Sequence, residues 1–243
     1  MTATHPDAAW ADRVVAAFAW WTAQVPTGGP TSSVTGSGAV DALERRVAAL
    51  VGARFALALP SATTALRAAL AGCLAGPGRG VLVCQDDWPA AAAAATSLGA
   101  AVWRSPQVDG LVSAYLDVAV AVVTPQSRQD TERLVTRAGG CVIEDRSALS
   151  LRSATPVAGV AAVYSLGPGK PVDCGEGGVL VTDNEVLWRR AVVATQHPVR
   201  QLIAGADPDA EVLIARIHPV SAVTALWELR DAVADGEVQA CHA

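Results

Sequence analysis

Lys170 is the only lysine among the 18 lysine and arginine residues of the chain. Wherever else the sequence carries a fixed positive charge it uses arginine, whose guanidinium stays protonated and is a poor nucleophile. A desolvated lysine amine, by contrast, can lose its proton and attack a carbonyl to form an imine. Lys170 is therefore a candidate for covalent chemistry, and the alternative is a single lysine left by chance on a surface loop.

The residues around Lys170 predict a rigid loop between two strands. The apolar runs Ala161–Leu166 and Val179–Thr182 are typical of short buried strands. Between them, the glycines and prolines of Gly167–Pro171 exclude a helix, and the glycines of Gly175–Gly178 permit positive φ or close backbone approach. Such a loop would hold the amine in a fixed place at the end of a sheet.

Three other features have both a functional and a purely structural interpretation. Asp145 ends the apolar strand Cys141–Asp145, where open α/β sheets bind ligands, but an acid there can also cap a helix. The segment Pro60–Leu66 begins a helix directly after a strand, so its free N–H groups and the Thr63 hydroxyl favour an anion, or merely a cap. Trp88 follows another strand and could pack in the core or lie flat against a planar ligand.

The order of these motifs resembles that of the DegT/DnrJ/EryC1/StrS aminotransferase family, fold-type-I enzymes that use pyridoxal 5'-phosphate (PLP). The likeness runs from about Ser37 to Leu229 and is carried by Tyr164-Ser165-Leu166, Lys170, Gly175-Glu176-Gly177-Gly178 and Val181-Thr182-Asp183. It implies an α/β protein, a three-layer α/β/α sandwich with a mainly parallel sheet. This is the large domain of a PLP-dependent transferase of fold type I.

The resemblance also implies a role for each candidate residue. Lys170 would form the Schiff base with PLP and later move a proton. Asp145 would keep the pyridine nitrogen protonated, and Trp88 would stack on the ring. The positions that match the family's phosphate site are Ala62, Thr63 and Ser165.

Several positions depart from the family pattern. Ala62 stands in place of a glycine, although alanine still supplies an N–H. Thr124-Pro125-Gln126 replaces an expected His-x-x-Gly stretch, Ala148 replaces a glutamine, and the segment between the strands at 103 and 118 is short. Ile214 stands where relatives carry an asparagine that contacts the cofactor of the neighbouring subunit. Because the short segment and the Thr124-Pro125-Gln126 stretch stand where relatives shape the substrate side, the sequence leaves the substrate open.

The sequence predicts three regions: an N-terminal helix and crossing loop over 1–38, a PLP-binding large domain over 39–235, and a tail over 236–243 in place of the family's small domain. The favoured function is a PLP-dependent aminotransferase that transfers an amino group from a small-molecule donor to a carbonyl of a sugar or specialised-metabolite intermediate. A homodimer is expected. The alternatives are another PLP reaction, such as a cyclisation or condensation, and a non-catalytic partner of a longer relative in a heteromer.

Composition excludes several other classes of protein. The net charge of −5 is mild and unclustered, which argues against nucleic-acid binding. The five cysteines show no CxxC or metal-ligand spacing, so neither a disulfide framework nor a metal site is expected. No apolar run has the length of a membrane span, and the N-terminus lacks the basic region of a secretory signal. The sequence therefore predicts a cytoplasmic protein.

Hydrophobic periodicity predicts alternating strands and helices that place these residues. Predicted strands, besides those flanking Lys170 and ending at Asp145, are Phe55–Leu59, Val81–Cys84, Ala101–Trp103 and Val118–Val123. Predicted helices are Asp7–Val25, Ala39–Val51, one after Pro60, an alanine-rich one to Leu98, Gln129–Ala138, Glu185–Thr195 and one from Arg216 to Leu229. The stretch Gln196–Asp209 is predicted to be a polar connection.

Overall fold

A computed structural model describes residues 6–24, 34–106, 118–124 and 142–232. In chain order the elements are α1 (Pro6–Gln24), α2 (Ala39–Val51), β1 (Phe55–Leu59), α3 (Ala62–Gly72), β2 (Gly80–Cys84), α4 (Ala90–Ser97), β3 (Val102–Ser105), β4 (Val118–Val123), β5 (Val142–Asp145), β6 (Ala161–Ser165), β7 (Gly178–Thr182), α5 (Glu185–Val193), α6 (Pro198–Ile203) and α7 (Pro219–Glu228), with a 3-10 turn at Leu151–Ser153.

These strands form a seven-stranded sheet in the order β1-β7-β6-β5-β4-β2-β3. The pairings from β6 across to β3 are parallel, whereas β7 is antiparallel to both β6 and β1. Since β1 and β6 each run opposite to β7, they point the same way. The carboxyl ends of β1, β2, β4, β5 and β6 therefore meet at one edge of the sheet, which is where such sheets bind ligands.

Helices cover both faces of the sheet, as apolar strands of a mainly parallel sheet require. On one face α1, α2 and α7 bury a cluster that includes Leu43, Val47 and Tyr164. On the other face α3, α4 and α5 bury a second cluster, which includes Leu66 of α3, Ile143 of β5 and a layer of small alanine side chains. The predicted three-layer α/β/α architecture is confirmed.

Most predicted elements lie within a residue or two of their observed bounds. The strand predicted at Ala101–Trp103 lies at Val102–Ser105, because it pairs with β2 through Ser105. One expectation was wrong. The predicted polar connection Gln196–Asp209 contains the helix α6. The predicted helix Gln129–Ala138 lies outside the described residues.

Helix α6 forms because its start is capped and its polar side chains are satisfied. His197 Nδ1 accepts the Val199 N–H at 3.2 Å, and Pro198 occupies the first turn, where its missing N–H costs nothing. Gln201 is fully buried; its amide donates to the Gln196 carbonyl at 2.8 Å and accepts the Asp209 N–H at 2.6 Å. A polar sequence therefore becomes buried structure through hydrogen bonds rather than apolar periodicity.

A buried ion pair joins α6 to α2 and β1. Arg200 Nη2 lies 2.7 Å from Glu44 Oε1 and 2.6 Å from Oε2, and Glu44 Oε1 also accepts the Ala58 N–H at 2.8 Å. Arg200 Nη1 donates to Gln196 Oε1 at 3.0 Å. Because both charges are buried and have lost their hydration, each is stabilised by the opposite charge of the other.

Glu44→Gln is expected to lower the free energy of unfolding by about 3 kcal/mol, because it leaves a buried guanidinium without its counter-charge. The matched control is Asp41→Asn on the same helix, which breaks the exposed pair with Arg45 and should change stability by no more than about 0.5 kcal/mol. Urea denaturation of both variants measures the difference. Equal effects would contradict a special role for the buried pair.

Candidate functional site

A cleft of about 240 Å³ opens at the carboxyl edge of the sheet. Every residue that the sequence assigned to the site lines it: Ala62, Thr63, Trp88, Asp145, Ser165 and Lys170. They come from four separate parts of the chain, at or shortly after the carboxyl ends of β1, β2, β5 and β6. The fold thus brings together the residues that the motifs had singled out.

A second lobe of about 370 Å³ shares Trp88, Asp145, Ser147 and Lys170 with the cleft. The additional residues that line it are Asp86, Asp87, Thr124 and Ala148. Thr124 and Ala148 are two of the positions where the sequence departs from the family pattern. The departures are therefore neighbours in space and alter one wall of the site.

The start of α3 forms a cradle for an anion. Ser61 caps the helix: its Oγ accepts the Thr64 N–H at 3.2 Å, and its carbonyl accepts the Ala65 N–H at 3.0 Å. In the described part of the chain, the N–H groups of Ala62 and Thr63 have no acceptor, and both residues line the cleft. Two free donors at the positive end of a helix are suited to a phosphate group.

Gly178 in β7 lets the cradle approach the sheet. A Cβ at this position would lie 2.5 Å from the Ser61 carbonyl carbon and 2.6 Å from its oxygen, and closer still to the Ala62 nitrogen. These are backbone atoms at the beginning of a helix, so they cannot move aside as a flexible side chain could. The glycine is required by this contact rather than by its φ.

Asp145 is buried at the end of β5, with 6% of its surface exposed. Its Oδ1 accepts the Ser147 N–H at 3.0 Å. Within the described residues Oδ2 accepts no hydrogen bond. Every fully buried side-chain oxygen there has a partner, so Oδ2 itself is not fully buried. This second oxygen is therefore left for a ligand in the cleft.

A buried network behind Asp145 holds its neighbours in place. Glu144 Oε2 lies 2.7 Å from both Nε and Nη2 of Arg146, while Glu144 Oε1 accepts the N–H groups of Ala158 and Gly159 at 2.8 and 2.7 Å. Arg146 Nη1 donates to the Tyr164 hydroxyl at 2.9 Å. Burial raises the pKa of Tyr164, so the hydroxyl stays neutral.

Asp87 is a carboxylate of the second lobe that sequence reasoning did not single out. Its Oδ1 accepts the Thr124 hydroxyl at 2.7 Å, which joins the end of β2 to the end of β4. Burial raises the pKa of Asp87, and the charges of Asp145 and Asp86 raise it further against the effect of the bond from Thr124. The only advance signal was a pair of acids, Asp86 and Asp87, shortly after an apolar strand.

The loop that carries Lys170 is compact. The Lys170 N–H donates to the Gly167 carbonyl at 3.2 Å, and the Leu166 N–H donates to the Gly177 carbonyl at 2.9 Å. Cys174 belongs to the same loop and is fully buried, and burial raises the pKa of its thiol to about 12. Trp88 stands across the cleft with 80% of its surface exposed, so it is not a core residue and its ring can contact a ligand.

The described residues contain no group of histidine, cysteine, aspartate and glutamate that could hold a metal ion. Cys73, Cys84 and Cys174 are free thiols there. No described helix has both the length and the hydropathy that a membrane span requires.

The sequence profile of the DegT/DnrJ/EryC1/StrS aminotransferase family matches residues 30–111. The match includes the anion cradle and Trp88, and the resemblance seen in the sequence is confirmed there. Lys170 and Asp145 lie beyond it, so their assignment to the site depends on the cleft geometry.

Several solved structures share the fold. DesV of S. venezuelae, solved in complex with a ketimine intermediate, superposes with a TM-score of 0.72 at 20% identity over 92% of this chain and 64% of its own. NtdA of Bacillus subtilis with bound cofactor PMP gives 0.71 at 17% identity over 90% and 54%. A DegT DnrJ EryC1 StrS aminotransferase from Brucella abortus gives 0.68 at 19% over 92% and 64%. The chain spans less than two thirds of each of these structures.

Gly178→Ala is expected to weaken anion binding at the cradle and to lower the free energy of unfolding by about 2 kcal/mol, because the new Cβ must displace the start of α3. Gly76→Ala is the control, since its Cβ would meet its nearest neighbour, the Leu98 carbonyl oxygen, at an ordinary 3.6 Å. Urea denaturation and titration with inorganic phosphate measure the two effects. A tolerated Gly178→Ala would mean that the cradle does not depend on this close approach.

Proposed function

We propose that the cleft binds PLP and that the protein is an aminotransferase with Lys170 as its catalytic amine. The observation that carries the proposal is the meeting of Lys170, Asp145 and the α3 cradle in one cleft. An amine, a buried carboxylate with a free oxygen and an anion site are the groups that a phosphorylated pyridine aldehyde requires. The fold shared with solved structures that are named aminotransferases supports the same conclusion.

The residues present fit the cofactor. The N–H groups of Ala62 and Thr63 would hold the phosphate. The Ser165 Oγ accepts the Gly167 N–H at 3.3 Å, which leaves its own hydroxyl hydrogen for the same phosphate. Trp88 offers a flat apolar surface for the ring. Asp145 Oδ2 would meet the pyridine nitrogen and, as a buried anion, keep it protonated.

When bound, PLP supplies an aldehyde and an electron sink for the electrons of a broken C–H bond. Lys170 would bind that aldehyde covalently and release it to an incoming amine. As a free amine, Lys170 would then take the proton from the substrate carbon and deliver it to the former aldehyde carbon, on the other side of the transferred nitrogen. The Asp145 carboxylate would stay beside the ring throughout, and the Trp88 indole would cover one face of the ring.

The amino donor is proposed to be glutamate or a similar small molecule, and the acceptor a carbonyl of a sugar or specialised-metabolite intermediate. The protein is also proposed to act as a homodimer, which is supported by the exposed apolar side chains of Leu202, Ile203 and Leu213.

A PLP reaction of another type is the second candidate. It is favoured by the second lobe, which the acidic side chains of Asp86 and Asp87 line together with Lys170.

The purified protein is expected to bind PLP with an absorbance band in the visible or near ultraviolet. Borohydride reduction should fix the cofactor to Lys170, since no other residue can offer a lysine amine. Peptide mass spectrometry locates the attachment. Lys170→Arg is the control that keeps the charge but not the chemistry, and an unchanged spectrum in that variant would overturn the proposal.

Asp145→Asn is expected to keep PLP attached while lowering turnover at least about a hundredfold, because a neutral amide does not hold the pyridine nitrogen protonated. Release of 2-oxoglutarate from glutamate measures turnover by the aminotransferase reaction. Full activity in the variant would make Asp145 a structural cap. Attachment of PLP with no release from glutamate by the unaltered protein would instead favour the second candidate.

A further inference from the structure

The connection between β6 and β7 must hold Lys170 still without secondary structure of its own. Glycine-rich segments have many accessible backbone conformations, so an unbraced loop would spread the amine over many positions. A catalytic group works only if it is displaced from its productive position by well under about 1 Å. Some interaction must therefore compensate for the flexibility of the glycines.

Asp173 bonds to both arms of this loop. Its Oδ2 accepts the Gly169 N–H at 3.1 Å, and its Oδ1 accepts the Gly175 N–H at 2.9 Å. Gly169 is the residue directly before Lys170, and both glycines have positive φ, 72° and 84°. One carboxylate thus fixes the two positions in the loop where the backbone takes its least common conformation.

The first helix holds the loop from outside. Arg13 Nη2 lies 3.9 Å from Asp173 Oδ2, and Arg13 Nη1 lies 3.5 Å from Glu228 Oε1 on α7. The Trp10 ring covers Gly175 so closely that a Cβ there would lie 2.9 Å from it. Asp173 is therefore tied to α1 as well as to the loop.

We propose that Asp173 is a positioning residue for Lys170: it holds the loop by two backbone hydrogen bonds and connects it through Arg13 to α1. The proposal rests on the proposed function, because it assigns Asp173 a role in placing the amine for PLP. Asp173 does not line the cleft, so it acts through the loop rather than on the ligand. Only a carboxylate of this length offers two oxygens to two N–H groups and a negative charge to an arginine.

The first experiment uses the protein without PLP and compares Asp173→Asn and Asp173→Ala with the unaltered chain. Amide hydrogen exchange at Gly169 and Gly175 is expected to accelerate about tenfold or more in Asp173→Ala. Asp173→Asn keeps one acceptor oxygen and should protect one of the two amides. Cys174, unreactive in the closed loop, should be alkylated faster at pH 8 in both variants.

Asp183→Asn is the matched control. Asp183 also accepts a backbone N–H in a connection after a strand, that of Arg54 at 2.7 Å, but it lies away from the cleft. It should leave exchange at Gly169 and Gly175 and alkylation of Cys174 unchanged. Urea denaturation of each variant checks that the fold as a whole is retained, so that only the loop is compared.

The second experiment adds PLP and follows the rate at which it becomes reducible onto Lys170. Asp173→Ala is expected to slow attachment about tenfold, and Asp173→Asn is expected to fall between it and the unaltered protein. If the loop opens in Asp173→Ala but attachment is as fast as in the unaltered protein, Asp173 does not position Lys170 and the inference is overturned. Unchanged exchange and alkylation overturn it as well.

The two proposals can fail separately. If the unaltered protein does not attach PLP to Lys170, the proposed function fails, whatever the exchange data show. If the unaltered protein attaches PLP and Asp173→Ala matches it in rate, only the role of Asp173 fails. Slow attachment in Asp173→Ala with normal attachment in Asp183→Asn supports both.

Discussion

The buried ion pair between Glu144 and Arg146 is the constraint on which the candidate site depends. Neighbouring residues at the end of a strand point to opposite faces, so fixing these two on one side directs Asp145 to the other. Two charges taken out of water are tolerated only if their remaining donors and acceptors are satisfied. Here the Tyr164 hydroxyl and the N–H groups of Ala158 and Gly159 complete that network. A carboxylate with one free oxygen is the result.

Elsewhere the site is shaped by residues with small side chains or none. The absence of a Cβ at Gly178 lets a helix start touch a strand, and alanines between α3 and α4 let those helices lie close over the sheet. Small residues of this kind contribute little burial energy individually, but they set distances between backbones. The polar atoms of the cleft are thus placed by close packing of main chain, which is less mobile than long side chains.

Much of the fold could be predicted from the sequence because it follows from local patterns. Helix α2 and strands β1 and β4 have the predicted bounds, since apolar periodicity is strong there and glycine or proline lies nearby. Lys170 could be found because its residue type is unique in the chain, and Asp145 because it ends an apolar strand. These are properties that a sequence displays without any knowledge of distant contacts.

The features that could not be predicted depend on partners far away in the chain. Arg200 is buried only because Glu44 receives it, and α6 around it has the composition of a surface loop. Asp87 and Thr124 form a pair only after β2 and β4 become neighbours. Asp173 looks like an ordinary loop acid until the two arms it joins are known. Polar residues carry no periodic signal, so their partners are visible only in three dimensions.

The pairing of β1 with β7 has a consequence for how the molecule assembles. Phe55 pairs with Thr182, and almost the whole sheet lies between them in the chain. Contacts between residues so distant in sequence form late, because a long loop must close before they repay its entropy. The helix start that follows β1 meets β7 through this same contact. A nascent chain therefore completes its anion cradle only when the last strand has docked, and a phosphate-bearing ligand would discriminate finished molecules from unfinished ones.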